Sequence, residues 1–183
     1  QHEKKLQAEN EINKKVYADI KNEDTVVIPG IGVYYQLTDK LGLLAGVNKG
    51  FSPVGPGQDD SIDPEESINY EAGLRYYNGV FSTELIGFYN DYSNIKGVCT
   101  FSSGCVAADI DKEFNGGEAE VKGVELTVGY SWQYQSANIP FKLNYTFTDA
   151  EFANNFTSNN PDWGEGPIND GDPLPYIPEH QAS

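Results

Sequence analysis

The chain contains no methionine, and its only histidines, His2 and His180, stand near its two ends. Without an initiating Met, the expectation is a processed chain or a segment of a longer one. Histidine-based catalysis and a zinc site both lose their usual residues. Basic side chains are scarce as well: 12 Lys and Arg stand against 28 Asp and Glu, for a net charge of −16 over 183 residues. That balance excludes a nucleic-acid partner, because phosphate binding rests on clustered Lys and Arg. No apolar run approaches the roughly 20 residues of a spanning helix, and no signal-peptide pattern opens the chain. A membrane β-barrel escapes this test, since its strands alternate and average out as polar. Cysteine is limited to Cys99 and Cys105, within Cys99-Thr-Phe-Ser-Ser-Gly-Cys105. With no CxxC spacing and no paired His, metal binding is not expected. A short loop disulfide in an oxidising compartment is the better reading, against two free thiols.

What is present is mostly β-pattern. Residues 1–28 are lysine-rich ahead of Lys21 and lack glycine, with Leu6, Ile12, Val16 and Ile20 loosely spaced. A frayed surface helix and part of a loop both remain open for them. From Ile31 the period becomes two. Ile31, Val33, Tyr35 and Leu37 share one face, as do Leu43, Ala45, Val47 and Phe51 after a turn at 39–42. Matching these faces requires an odd-numbered loop, and Gly42 is the expected bulge residue. A third run sets Ile68, Tyr70, Ala72, Leu74 and Tyr76 against Asn69, Glu71, Gly73, Arg75 and Tyr77. Asn78-Gly79 then predicts a tight hairpin, pairing Tyr77 with Val80 and Arg75 with Ser82, diagonal to Glu84. The fourth strand runs from Val80 to about Tyr92, with Ile86 and Phe88 on the Glu84 face. A fifth puts Val124, Leu126, Val128, Tyr130 and Trp132 together, and a sixth Phe141, Leu143, Tyr145 and Phe147.

The connections alternate strictly. Those at 39–42, 78–79 and about 133–140 are short, whereas those at about 52–67, 93–119 and 153–178 are long. One end of the sheet therefore has tight turns and the other large loops, which is how outer-membrane barrels are built. Aromatic residues gather at both ends: Tyr76, Tyr77, Phe81, Tyr130, Trp132, Tyr134 and Phe141 beside short turns, and Phe51, Phe88, Tyr89, Tyr92, Phe147 and Phe152 near long loops. Membrane interfaces select such bands, although Tyr and Phe favour strands anywhere.

Several stretches resemble the barrel of TonB-dependent outer-membrane receptors. Asp63-Pro-Glu-Glu-Ser-Ile-Asn-Tyr-Glu-Ala-Gly-Leu-Arg75 is similar to that family's P-E-x-x-x-x-Y-E-x-G-x-K/R strand start, and Gly50-Phe-Ser-Pro53 to its G-F-x-P strand exit. Phe88-Tyr-Asn-Asp-Tyr92, Val121-Lys-Gly-Val-Glu125 and Leu174-Pro-Tyr-Ile-Pro-Glu-His-Gln181 follow in the family's order. Ile28-Pro-Gly-Ile-Gly32, Asn115-Gly-Gly117 and Gly171-Asp172 look like the ferric-dicitrate or siderophore branch. The resemblance implies an all-β, antiparallel, up-and-down transmembrane barrel, here a partial one of six to seven strands over residues 29–183. Family barrels have 22 strands around an N-terminal plug, and a TonB box ahead of the plug couples transport to inner-membrane energy. The expected function is import of an iron chelate across the Gram-negative outer membrane, without catalysis or cofactor. TonB, outer-membrane lipid and lipopolysaccharide are the expected partners, and an iron chelate or another scarce nutrient the ligand.

If the parity holds, Glu71, Arg75, Glu84, Glu125, Lys142 and Asn144 face the lumen. They hold a plug or line a substrate path, or merely satisfy one another away from lipid; the last reading is favoured. Lys49 and Lys122 fall on the apolar face, where snorkelling outranks phosphate binding. Ligand contacts are expected in the loops at about 52–67, 93–119 and 153–178, all strongly acidic. Calcium favours such oxygen donors, but no EF-hand pattern is present and a solvated surface explains them better. Their acidity also weakens a citrate chelate as ligand. No Ser-His-Asp set, phosphate loop or singled-out carboxylate pair points to an enzyme. The reading from another class is a secreted β-sandwich that binds carbohydrate. In it, Val124, Leu126, Val128, Leu143 and Tyr145 pack between two sheets instead of touching lipid.

Overall fold

The computed structural model describes residues 26–55, 62–98, 113–158, 163 and 166–183. Residues 1–25 and the pair Cys99 and Cys105 lie outside them, so neither the N-terminal alternatives nor the expected disulfide is tested. The strands in chain order are β1 (Gly30–Gln36), β2 (Leu41–Ser52), β3 (Glu65–Tyr77), β4 (Phe81–Ser93), β5 (Lys96–Val98), β6 (Glu113–Asn115), β7 (Ala119–Tyr134), β8 (Ala137–Phe152), β9 (Phe156–Ser158), β10 (Gly166–Ile168) and β11 (His180–Ala182). Seven of them form one antiparallel sheet in the order β1-β2-β3-β4-β7-β8-β11. The short pairs β5–β6 and β9–β10 are separate hairpins within the long loops.

Register follows the apolar alternation across the whole sheet. One row runs Val33, Ala45, Ala72, Gly87, Val124 and Phe147; the next runs Tyr35, Leu43, Leu74, Leu85, Leu126 and Tyr145. A slip of one residue on any strand would turn its apolar set to the other face, so the pattern itself holds the register. No second sheet covers this apolar face among the described residues. Ile31 is 75% exposed and Leu143 50%. The sandwich reading required these side chains to be buried between sheets, and it is set aside.

The turns differ from expectation in informative ways. Between β1 and β2 the odd loop is present, but Gly42 pairs directly with Gln36. The bulge lies at Leu37–Thr38, whose N–H groups both donate to the Leu41 carbonyl at 2.9 and 3.0 Å. The Thr38 hydroxyl accepts from the N–H of Lys40 and of Leu41, which fixes the turn without a glycine. Between β3 and β4 the turn residues are Gly79 and Val80, one place later than expected. Asn78 donates its N–H to the Phe81 carbonyl, while its side-chain oxygen accepts from the N–H of Val80 and Phe81. Tyr77 therefore pairs with Ser82, and Arg75 stands directly opposite Glu84 instead of Ser82.

β7 and β8 are longer than the alternation indicated. They pair from Ala119–Phe152 down to Tyr134–Ala137, which shrinks the turn at 133–140 to Gln135 and Ser136. The register also thins the aromatic band at the long-loop end. Phe88, Tyr92 and Phe152 fall on the polar face, leaving Phe51, Tyr89 and Phe147 on the apolar one. At the short-turn end Tyr76, Phe81, Tyr130, Trp132, Tyr134 and Phe141 share the apolar face, with Trp132 in tilted contact with both Tyr134 and Phe141.

Candidate functional site

On β7 the apolar face is unbroken by charge from Val124 to Trp132, which spans about 20 Å at a ~3.3 Å rise and ~40° tilt. That approaches the ~25 Å apolar band of an outer-membrane barrel. Just above it a charged belt begins. Lys122 holds Glu151 at 2.6 Å and Asp149 at 3.4 Å, and Lys49 holds Glu66 at 2.7 Å. Both lysines, read as snorkelling from sequence, are thus paired with carboxylates of neighbouring strands just beyond the uncharged apolar stretch.

The polar face carries all six candidate lumen residues. Arg75 donates through Nε to Glu84, with both side chains partly exposed. The same row continues across the sheet, since Glu84 faces Thr127 and Thr127 faces Asn144. The Thr127 hydroxyl donates to Asn144 Oδ1 at 3.2 Å, and Asn144 Nδ2 donates to the Ser183 hydroxyl at 3.1 Å. Glu71 lies over Gly46, where a Cβ would stand 2.8 Å from its carboxylate. Glu125 sits between Ile86 and Thr146. Lys142 borders a hollow of about 230 Å³ together with Ser82, Thr127 and Ser131. Hydrogen bonds link Arg75 to Glu84 and Thr127 to Asn144 along this wall, the six side chains do not converge on one site, and Ile86 and Phe88 interrupt the wall with apolar surface. Phe88 rests on Gly123.

A second grouping, at the long-loop end, was not found from sequence. Phe152 is 1% exposed and packs against Phe156 and Trp163, with ring centroids 5.3 and 5.9 Å away. Phe156 and Trp163 meet edge to face at 6.1 Å. Trp163 also lies against Gly116, which leaves no room there for a Cβ. Ile95, Phe152, Trp163, Leu174, Pro175 and Tyr176 line a cavity of about 180 Å³. The available signal was three aromatics within residues 152–163, at the start of a loop rich in Asn, Asp, Gly and Pro. Phe152 had been assigned to the membrane band.

The family model described as "TonB dependent receptor-like, beta-barrel" matches residues 5–183. The ferric-pyoverdine BN7/BN8 receptor of Pseudomonas putida is 30% identical over 159 residues, covering 76% of this chain and 18% of the relative. The metal-pseudopaline receptor CntO of Pseudomonas aeruginosa is 34% identical over 91 residues, 46% of this chain and 13% of the relative. In solved structures, the ferric yersiniabactin uptake receptor FyuA from Yersinia pestis aligns with a TM-score of 0.59 at 22% identity. It covers 88% of this chain and 22% of that one, and speaks to the fold. The chain spans about a fifth of the length of the relatives it matches. Its seven-stranded sheet, apolar on one face and polar on the other, is a portion of an outer-membrane barrel wall, and the chain belongs to the TonB-dependent receptor-like β-barrel family.

Proposed function

We propose that the protein to which this barrel wall belongs imports an iron chelate of the siderophore type across the outer membrane, driven by TonB. Capture by the extracellular loops is followed by rearrangement of a plug inside the barrel, with no chemistry done on the ligand. The family match over residues 5–183 carries the reading. The relatives named for ferric pyoverdine and metal pseudopaline support a metal chelate as cargo. In this reading residues 29–183 supply barrel wall and residues 1–28 a segment ahead of it. Glu71, Arg75, Glu84, Glu125, Lys142 and Asn144 face the plug, and the apolar face meets lipid and lipopolysaccharide.

The test uses the full-length parent gene expressed in an outer-membrane host under iron limitation. Uptake of radiolabelled ferric chelate that requires both the gene and an intact tonB supports the proposal. A detergent-extracted barrel that transports no ferric chelate, but does take up a glycan or a corrinoid, would replace iron with another nutrient. A soluble monomer would sink the receptor reading altogether.

A further inference from the structure

We propose that Asn78 is a site of spontaneous self-modification: its side chain cyclises onto the backbone nitrogen of Gly79 and converts to aspartate and isoaspartate. The inference holds whichever ligand the receptor takes. The reaction needs an Asn or Asp, a following amide nitrogen free to attack the side-chain carbonyl, and water. Glycine eases it, because no Cβ stands beside the attacking nitrogen. The sequence offers three such pairs: Asn78–Gly79, Asn115–Gly116 and Asp170–Gly171. The structure separates them by the state of the nucleophile. The N–H of Gly116 donates to the Ile95 carbonyl at 2.6 Å, and that of Gly171 to the Phe152 carbonyl at 2.8 Å. Gly116 is also buried, against Trp163. A nitrogen tied in this way must break its hydrogen bond before it can attack. The N–H of Gly79 has no acceptor among the described residues, and Asn78 and Gly79 are both exposed to water.

The turn also prepares the Asn78 side chain for attack. Its Oδ1 accepts from the N–H of Val80 at 3.1 Å and of Phe81 at 2.8 Å. Both donors are aimed at the oxygen that becomes negative when a nucleophile adds to Cγ, as in sites that stabilise tetrahedral intermediates of acyl transfer. Nδ2 makes only a 3.5 Å contact with the Tyr76 hydroxyl, so the leaving group is barely held. Gly79 takes φ +94°, and a Cβ there would meet nothing within 4 Å, which leaves room for the ring. In the first step the Gly79 nitrogen loses its proton to hydroxide and bonds to Asn78 Cγ. The Cγ–Nδ2 bond then breaks, and the amide nitrogen takes a proton from water and leaves as ammonia. One water molecule opens the resulting succinimide at either of its two carbonyls. The products are aspartate, or isoaspartate, in which the main chain runs through Cγ and gains a methylene. Each adds a carboxylate at the short-turn end, and no oxidant or cofactor takes part.

The test incubates purified full-length receptor in detergent at mildly alkaline pH. Peptide mass mapping reads loss of the amide, and labelling by an isoaspartyl methyltransferase reads isoaspartate. Conversion at Asn78 should run at least about tenfold faster than at Asn115, since freeing a nucleophile from one backbone hydrogen bond costs about that factor. Isoaspartate at position 170, which forms by rearrangement without loss of an amide, should lag as well. In urea-unfolded receptor the two asparagines should convert at similar rates, because Gly116 is no longer tied to Ile95. Asn78→Gln, whose longer side chain would have to close a larger ring, should abolish modification at this turn. Conversion at Asn78 that is absent, or no faster than at Asn115 in the folded protein, overturns the proposal. A preference for Asn78 that persists unchanged in urea also overturns it, since the fold would then not be its cause.

Discussion

Two glycines on neighbouring strands show how finely single positions are set. Gly123 lies under Phe88 and against the Phe147 carbonyl, and a Cβ would collide with both. Gly87, one row mate of Val124, has its nearest neighbours at 3.8 and 3.9 Å, which is ordinary contact. Gly123→Ala should therefore cost about 1–3 kcal/mol, because backbone must shift, and Gly87→Ala at most about 0.5 kcal/mol. Urea titration of the receptor refolded in lipid vesicles checks the pair. The Arg75–Glu84 ion pair makes the opposite point. Arg75 remains 56% exposed, so the coupling in an Arg75→Ala, Glu84→Ala double-mutant cycle should stay below about 1 kcal/mol. A larger coupling would mean that the pair is desolvated by whatever fills the lumen. That Glu71, Arg75, Glu84, Glu125, Lys142 and Asn144 share one face was legible from parity alone, since period-two alternation fixes a face without any knowledge of contacts. Their direct partners were not legible, because a partner depends on the turn: a shift of one position at Asn78 moved Arg75 from Ser82 to Glu84.

Hairpins show where local chemistry outweighs propensity. Asn-Gly ordinarily supplies both central residues of a two-residue turn, yet here Asn78 acts through its side chain and hands the turn to Gly79 and Val80. Gly79 takes φ +94°. Replacing Asn78 by Ala removes two acceptor bonds and should destabilise the β3–β4 hairpin by about 1 kcal/mol, while Gly79→Ala adds a comparable strain. Hydrogen exchange of the amides of residue 78 and Phe81, which donate within the turn, would report either change locally. Unchanged protection in both variants would contradict the Asx turn. The three-residue hairpins β5–β6 and β9–β10 escaped the sequence because three residues carry no measurable period.

For the whole sheet, one question decides the architecture: which face meets lipid. Successive β7 residues point opposite ways, so Thr127 and Val128 probe the two sides at nearly one depth. Val128 lies midway along the apolar stretch and pairs with Leu143 and Thr83. An arginine there is too deep to snorkel from the bilayer midplane, and Val128→Arg should cost about 2–4 kcal/mol. Thr127 faces the polar wall and donates one hydrogen bond to Asn144, so Thr127→Arg should lose no more than about 1 kcal/mol. The measurement is the fraction of full-length protein that reaches the heat-modifiable state in vesicles across a urea series. A soluble sheet packed on a second layer would also reject Val128→Arg, but it would do so equally in detergent-free buffer. A lipid-facing wall ties the penalty to the bilayer, and it should shrink when Arg is moved along the same face to Trp132, near the aromatic band, where headgroups accept the charge. Penalties that are equal at 127 and 128, or undiminished at 132, would reverse the assignment of the two faces.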